Sequence, residues 1–373
     1  MRIVITGAKG LLGWHAHARL HALNCAARFK GDVEPFDIAP LDHGEFDDDS
    51  RLADALTGAH AVLHFAGVNR GAEAEVEAAN PTIAKRLVAM SSKVGSAAHI
   101  VYANSTHAAS DTPYGRSKRI AGAIIAAGPH AYTDLVLPHI FGEGARPFYN
   151  NVTATLIAQI LSGSQPDINP DGEVNLLHAG AAAQVAIDCA LSGQTGTIYP
   201  EATPIAVPEL YEQLREMHEG YSANVYPDLS NPFVRDLFNT YRSATYPEAW
   251  PRPLKLNTDQ RGTLFEAVKG GGGGQAFLST TKPGISRGDH FHLSKIERFL
   301  VVQGEGVIRM RKVLGDEVWE FRVSGDEPAP VDMPTLHTHS IENVGDSDLL
   351  TLFWTHEQFD PANPDTFADK VQK

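Results

Sequence analysis

Residues 288 to 297 read GDHFHLSKIE, with His290 and His292 one residue apart and Glu297 five further on. On an extended chain successive side chains alternate in direction, so the two imidazoles share one face while Phe291 takes the other. Two imidazoles and a carboxylate that can converge are donors a divalent cation selects. His339 in HTHSIEN offers a third imidazole. Three nitrogens and one carboxylate suit zinc and are compatible with iron, manganese or nickel. The chain has 17 histidines, which makes accidental H-x-H pairs common, so spacing has to decide.

A different chemistry sits near the other end. In MRIVITGAKGLLG, Gly7, Gly10 and Gly13 follow an apolar strand pattern at the mouth of a helical segment. Glycine there lets the backbone approach a pyrophosphate, which then rests on helix N–H groups. In PYGRSK, Tyr114 and Lys118 are four apart and share a helix face. An ammonium beside a phenol favours phenolate, lowering the phenol's pKa from about 10 so that it exchanges a proton with a carbonyl oxygen near neutrality. Ser105 and Thr106 end the strand pattern HIVYANS, where a hydroxyl can donate to that same oxygen; the two are rivals by one residue.

These groups need two scaffolds. From residue 1 to about 190, RIVIT, AVLHFAG, HIVYANS and TDLVLPHIFG read as strands, each followed by a helical pattern, which predicts a parallel sheet covered on both faces. Scattered aromatics and prolines between Pro204 and Pro253 read as the tail of the first domain and a linker. After Pro253, QAFLSTTK, ERFLVVQGEGVIRMRKV, DEVWEFRVS and DLLTLFWTH predict a small all-β barrel, with the glycines 270–274 as a loop tip. A chain of 373 residues exceeds the roughly 250–300 at which single cores stop growing, so two domains are expected, 1–252 and 253–373. Lys and Arg total 31 against 45 Asp and Glu, and the net charge of −14 argues against nucleic acid or an anionic membrane as partner. No apolar run approaches the roughly 20 residues of a membrane span and no leader pattern opens the chain, so a cytoplasmic location is expected. Cys25 and Cys189 are too few for a disulfide framework.

TGAKGLLG, HFAGVNR and YGRSK resemble the extended short-chain dehydrogenase/reductases. That resemblance implies a Rossmann-type doubly wound α/β sheet. Carried over, it implies cofactor contacts at Gly7, Lys9, Gly10, Leu11, Leu12, Gly13, Ala66, Gly67, Asn80, Tyr114 and Lys118, and catalysis by Ser105, Tyr114 and Lys118. Asn80 in EAANPTIAKR also reads as a helix cap. Departures are Leu137-Pro138-His139, where an arginine is usual, and LLHAGAAAQVA, which lacks the later Val-x-x-Asp. Asp37 would favour NAD, whereas Arg28, Lys30 and Lys9 could meet a 2′-phosphate; NADP(H) is the expected cofactor.

Gly284-x5-His290-x-His292-x4-Glu297-x6-Gly304 and Pro334-x4-His339-x3-Asn343 are similar to the two cupin motifs, apart from Leu336 and a longer gap after Gly325. This implies an all-β cupin (jelly-roll) barrel with a metal, most often zinc, on His290, His292, Glu297 and His339. His337 is left over by the register. The fusion resembles the bifunctional CapF-type enzymes of capsule and O-antigen sugar-nucleotide synthesis, through VITGAKG, HFAGVNRG, PYGRSK, TDQRGTLFE, KPGISRGDHFH, ERFLVVQGEGVIR, THSIENVGDSD and FDPANPDTF. It implies a homodimer and a UDP-linked 4-keto-6-deoxy sugar, UDP-2-acetamido-2,6-dideoxy-β-L-arabino-4-hexulose. The barrel would epimerise C3 beside the metal, with Lys295, His337 or His356 as proton carriers. The reductase half would then reduce C4. Two other readings are a reductase with a purely structural metal and a non-catalytic NADP sensor.

Overall fold

Ile3 and Ile5 point to one side of strand β1 (Arg2–Thr6) and Val4 to the other, and both sides are covered by helices. The computed structural model describes residues 1–372. After β1 come α1 (Leu11–Lys30), β2 (Asp37–Leu41), α2 (His43–Asp47), α3 (Asp49–Leu56), β3 (Ala61–His64), α4 (Glu73–Lys93), β4 (His99–Ser105), α5 (Pro113–Ala126) and β5 (Tyr132–Leu137). There follow β6 (His139–Phe141), α6 (Val152–Ser162), β7 (Glu173–His178), α7 (Ala179–Ser192), β8 (Gly196–Ile198) and β9 (Thr203–Ala206). The main sheet is parallel, in the order β2-β1-β3-β4-β5-β8. Ala16 and Leu20 of α1 and Ala182 and Ala186 of α7 pack on one face. Leu52, Leu87 and Ile125 of α3, α4 and α5 pack on the other, giving the expected doubly wound sheet. TDLVLPHIFG, read as one strand, breaks at Pro138: β5 stays in the main sheet and β6 joins a small sheet with β7 and β9. A proline cannot donate to a ladder, so it ends the pairing there.

The second half begins with α8 (Val207–Ser222), β10 (Val225–Tyr226) and α9 (Pro232–Ser243). Short strands β11 (Asn257–Asp259), β12 (Gly262–Leu264) and β13 (Lys269–Gly270) precede β14 (Gln275–Thr281), β15 (Ser286–Phe291), β16 (Glu297–Gln303), β17 (Glu305–Lys312) and β18 (Val318–Ser324). The last strands are β19 (Val331–Met333), β20 (His337–Asn343), β21 (Leu349–Thr355) and β22 (Phe367–Ala368). They form two antiparallel sheets, β14-β21-β16-β19 and β18-β17-β20-β15-β22. The glycine run is not a simple loop tip, because Gly270 pairs with Tyr226 and the Gly271 N–H donates to the Tyr226 carbonyl at 3.2 Å. No helix among the described residues is long and apolar enough to cross a membrane.

One compact unit comprises Met1–Thr155 with Ile168–Pro208, the other Leu156–Asp167 with the chain from Glu209 onward. Residues 209–252, read from sequence as tail and linker of the first domain, therefore pack with the β-rich unit. Their aromatic residues explain why. Asp332 on β19 is fully buried, and Arg298 on the neighbouring β16 donates to it through Nε at 2.6 Å and Nη2 at 3.0 Å. The hydroxyls of Tyr221 and Tyr226 donate to the same carboxylate, Tyr221 at 2.5 Å, and Tyr246 donates to the Asp332 carbonyl. A buried carboxylate is tolerable only when paired and hydrogen-bonded. This segment supplies two of its donors, and a third for the backbone carbonyl of the same residue. Asp332→Asn leaves the Arg298 guanidinium without a counter-charge and should cost about 3–5 kcal/mol of folding stability. Urea denaturation of the full chain, followed through the tryptophans, would show the loss; an unchanged midpoint would contradict it.

Candidate functional site

The β1–α1 turn closes tightly on itself. Gly7 has φ 68°, and a Cβ there would lie 2.9 Å from the Ala66 nitrogen; a Cβ on Gly13 would lie 2.2 Å from the Gly7 carbonyl oxygen. Gly10 caps α1 without a side chain, Leu11 and Leu12 open the helix half-buried, and no acidic residue occupies its first turn. This is a helix N-terminus prepared for an anion. Asn80 lies inside α4 and so does not cap it. Its side-chain oxygen accepts from the Val68 N–H at 2.9 Å, and its nitrogen donates to the Val68 carbonyl at 2.9 Å and to the Ser117 hydroxyl at 2.8 Å. Asn80 thereby ties the loop of Ala66 and Gly67 to the helix that carries Tyr114 and Lys118.

The residues weighed for the cofactor's 2′ position separate. Arg28 and Lys30 lie in the last turn of the 20-residue α1, about 30 Å along the helix from the glycine loop. Asp37 opens β2 at the end away from that loop and pairs with Arg2 at 3.2 Å. Lys9 alone is in place, and its Nζ lies 2.6 Å from Asp42, the residue after β2. Asp42 was missed because the end of β2 was not placed. Its capping box with Glu45 was the available signal.

Ser105 ends β4 and is buried, whereas Thr106 is exposed and opens a short 3-10 turn, which favours Ser105 of the two hydroxyls. Burial raises the Tyr114 phenol above its ordinary range, while a hydrogen bond from Ser105 opposes the rise. The Lys118 ammonium donates to the Ala103 carbonyl and lies 4.2 Å from the Tyr102 ring centroid. Burial pushes Lys118 down to about 7, with Asp134 acting against it. The expected depression of Tyr114 by Lys118 is therefore not what this structure has: the lysine is spent on β4, and Ser105 is the group that lowers the phenol.

In the β-rich unit His290 of β15 and His339 of β20 are register partners. A bulge between Gly288 and His290, with Asp289 at φ 56°, re-aims the strand at that point. His292 follows directly after β15, and Glu297 opens β16 on the other sheet. The Nε2 atoms of His292, His339 and His290 lie 3.2, 3.3 and 4.0 Å from Glu297 Oε2. A tetrahedral ion with bonds of about 2.0–2.2 Å holds its ligands roughly 3.3–3.6 Å apart, so these residues fit one. His292 Nδ1 faces the Asp365 carbonyl at 2.5 Å and His339 Nδ1 the His337 carbonyl at 3.0 Å; carbonyls only accept, so each Nδ1 carries a proton, and in the neutral ring a cation would bind, Nε2 has the lone pair. His339 Nε2 is buried and makes no hydrogen bond. Burial lowers the His339 imidazole to about 4. Burial alone would raise Glu297, but the three imidazoles that face it hold it well below the usual carboxylate range.

His337 shares the face of β20 with His339; its Nδ1 donates to the Thr335 carbonyl at 2.9 Å and its ring stacks on Trp319. Lys295 turns instead to the Pro364 carbonyl, and His356 Nδ1 accepts from the Ile296 N–H at 3.1 Å. Sequence reasoning missed Asp365, within FDPANPDTF. Its carboxylate accepts from the N–H groups of Leu293, Ser294 and Lys295 at 2.9, 2.9 and 2.7 Å, which pins the turn between His292 and Glu297. A second buried group, His15, Glu143 and His178, has similar residue types but a different geometry. There His15 Nε2 donates to the Glu143 carbonyl at 3.0 Å and His178 Nε2 meets the Glu143 carboxylate at 2.8 Å, so hydrogen bonds take the two Nε2 atoms, while His15 Nδ1 is buried without one.

Residues 3–200 match the NAD dependent epimerase/dehydratase family, and residues 257–367 match the Polysaccharide biosynthesis C-terminal domain. Over its full length the chain is 29% identical to UDP-2-acetamido-2,6-beta-L-arabino-hexul-4-ose reductase of Pseudomonas aeruginosa, 99% of which is covered. Against the crystal structure of the capsular polysaccharide assembling protein CapF from Staphylococcus aureus, the identity is 31% and the TM-score 0.61, with 100% of both chains covered. A structure of CapF with the inhibitor 3-isopropenyl-tropolone matches at 30% identity and TM-score 0.55, again over 100% of both chains. By these likenesses and by its two sites, the chain belongs to the NAD dependent epimerase/dehydratase family and, within it, to the CapF-type sugar-nucleotide enzymes.

Proposed function

We propose that this nucleotide-sugar oxidoreductase handles one ketone twice. The substrate is UDP-2-acetamido-2,6-dideoxy-β-L-arabino-4-hexulose; the β-rich unit inverts C3, and the N-terminal unit then reduces C4 to give a UDP-6-deoxy-L-talose type sugar. The order follows from chemistry, since C3 epimerisation needs the ketone that reduction removes. The observation that carries the reading is that one chain holds both a buried three-imidazole, one-carboxylate set and a Ser105–Tyr114 pair beside a glycine loop. The relative named as a hexul-4-ose reductase supports the substrate. CapF's tropolone inhibitor presents two adjacent oxygens that chelate cations, which supports a metal.

A divalent cation held by His290, His292, Glu297 and His339 would polarise a carbonyl and so acidify the neighbouring C–H. His337 is the best placed of the expected proton carriers: with Nδ1 bonded to a carbonyl, its Nε2 is the basic nitrogen. Lys295 and His356 are engaged with backbone and hold the turn around Glu297. A reduced nicotinamide nucleotide on the Gly7–Gly13 loop would supply hydride to C4. Ser105 and Tyr114 orient the C4 oxygen, and Tyr114 delivers its proton. Asp42 holds Lys9 and offers a carboxylate to a ribose 2′-hydroxyl, so NADH fits this pair better than the NADPH expected from sequence.

In heavy water without cofactor, the enzyme should wash deuterium into C3 of the substrate, read by NMR, and His290→Ala or His339→Ala should abolish this. Retained exchange in those variants would make the cation purely structural. Tyr114→Phe should keep the exchange and lower cofactor oxidation by about 100-fold or more; unaltered turnover would remove Tyr114 from its role. Asp42→Ala should move the kcat/KM ratio toward NADPH by about tenfold, equivalent to about 1.4 kcal/mol. An unmoved ratio would remove the Lys9–Asp42 pair from cofactor choice.

A further inference from the structure

Asp134 stands in β5 with Thr133 and Leu135 buried on either side of it, an unusual place for an acid in a parallel strand. It is the register partner of Tyr102 on β4, so the two side chains emerge on the same face, toward α5. Its Oδ1 accepts from the Asn104 amide at 2.9 Å and from the Tyr132 hydroxyl at 2.9 Å. The other arm of Asn104 accepts from the Ser105 N–H at 2.9 Å. Gly122 on α5 lets the helix close over this array: a Cβ there would lie 3.1 Å from the Tyr132 hydroxyl and 3.4 Å from the Asn104 amide nitrogen. One turn earlier on the same helix is Lys118, whose ammonium rests over Tyr102.

We infer that Asp134 is a positioning residue of the reductase site: its carboxylate fixes Asn104 and through it Ser105, and its charge sits beside Tyr102, the ring on which the Lys118 ammonium rests. The inference rests on the reading of Ser105, Tyr114 and Lys118 as the reductase group. Burial drives Lys118 down to about 7, and Asp134 is the charge that opposes this. The other titratable groups around Lys118 do not replace it. His64 on β3 is pushed down to about 3 by burial and bonds Thr6, so it is neutral. Burial raises the phenols of Tyr102, Tyr132 and Tyr114, so they too are neutral. On α4, Glu77 is engaged with Arg116 at 2.7 Å.

On that reading Lys118 holds the cofactor ribose through the N–H groups that its bond to Ala103 leaves over, a role for the ammonium, so hydride transfer should fall as pH rises through its pKa. Removing the Asp134 charge should bring that alkaline limb to lower pH. The test is the pH profile of cofactor oxidation by the full-length enzyme with the UDP-4-keto sugar. Asp134→Asn should move the alkaline limb of kcat down by about one pH unit with KM little changed, and Asp134→Glu should restore the wild-type limb. Asn104→Ala keeps the charge and breaks only the arm to Ser105, so kcat should fall with the limb unmoved. A profile for Asp134→Asn that superimposes on the wild type overturns the inference. Should that variant fail to fold, a displaced limb in Asp134→Glu or Asn104→Ala overturns it equally. If Tyr114→Phe still oxidises cofactor normally, the reductase reading itself fails, a result distinct from an unshifted Asp134→Asn profile.

Discussion

A buried carboxylate that faces imidazole lone pairs is the condition on which the β-rich unit depends. The Asp365 and His337 carbonyls take the Nδ1 protons of His292 and His339, which leaves lone pairs on Nε2 turned toward Glu297 at 3.2 and 3.3 Å. Lone pairs opposed across such distances, away from water, are unfavourable unless a proton or a cation lies between them. A proton satisfies one such contact. A tetrahedral cation satisfies all four donors together, and the backbone that selects these tautomers is the same backbone that sets the strand register.

The strand that carries Glu297 is held from its other face. Arg298, the next residue, turns away from the histidines to Asp332, whose Oδ2 also accepts from Tyr221 and Tyr226. Register pairs Glu297 with Met333 and Arg298 with Asp332, so one short ladder sets both the inward carboxylate and the outward ion pair. The segment 209–252 is thus part of the support of Glu297 and the imidazoles around it. In the N-terminal unit the corresponding supports are neutral hydrogen bonds: Asn80 from α4 to the Val68 backbone and Ser117, and Asn104 to Ser105. Each fixes a loop or strand end beside the glycine turn.

Much of this was legible in the sequence because the informative features are local. Strand period, the glycine turn, Tyr-x3-Lys and H-x-H with its glutamate are set within a few residues, and the four candidate ligands do converge. What escaped depends on long-range partners. The aromatics of 209–252 look like a linker until Asp332, about a hundred residues later, gives them a carboxylate to bond. Asp42 was unreadable without the end of β2, and Asp365 without the turn it closes. Lys118 was expected to act on Tyr114 from their spacing alone, but the Ala103 carbonyl on a separate strand captures its ammonium.

On this reading the donors around Glu297 hold a cation. Metal analysis and X-ray absorption of the full-length protein, purified without chelator, address it most directly. About one divalent ion per chain is expected, with nitrogen and oxygen neighbours at about 2.0–2.2 Å, lost when His339 and His290 are both replaced by alanine. Protein exposed to zinc that retains no ion, or a double variant that binds as much as the wild type, would contradict it.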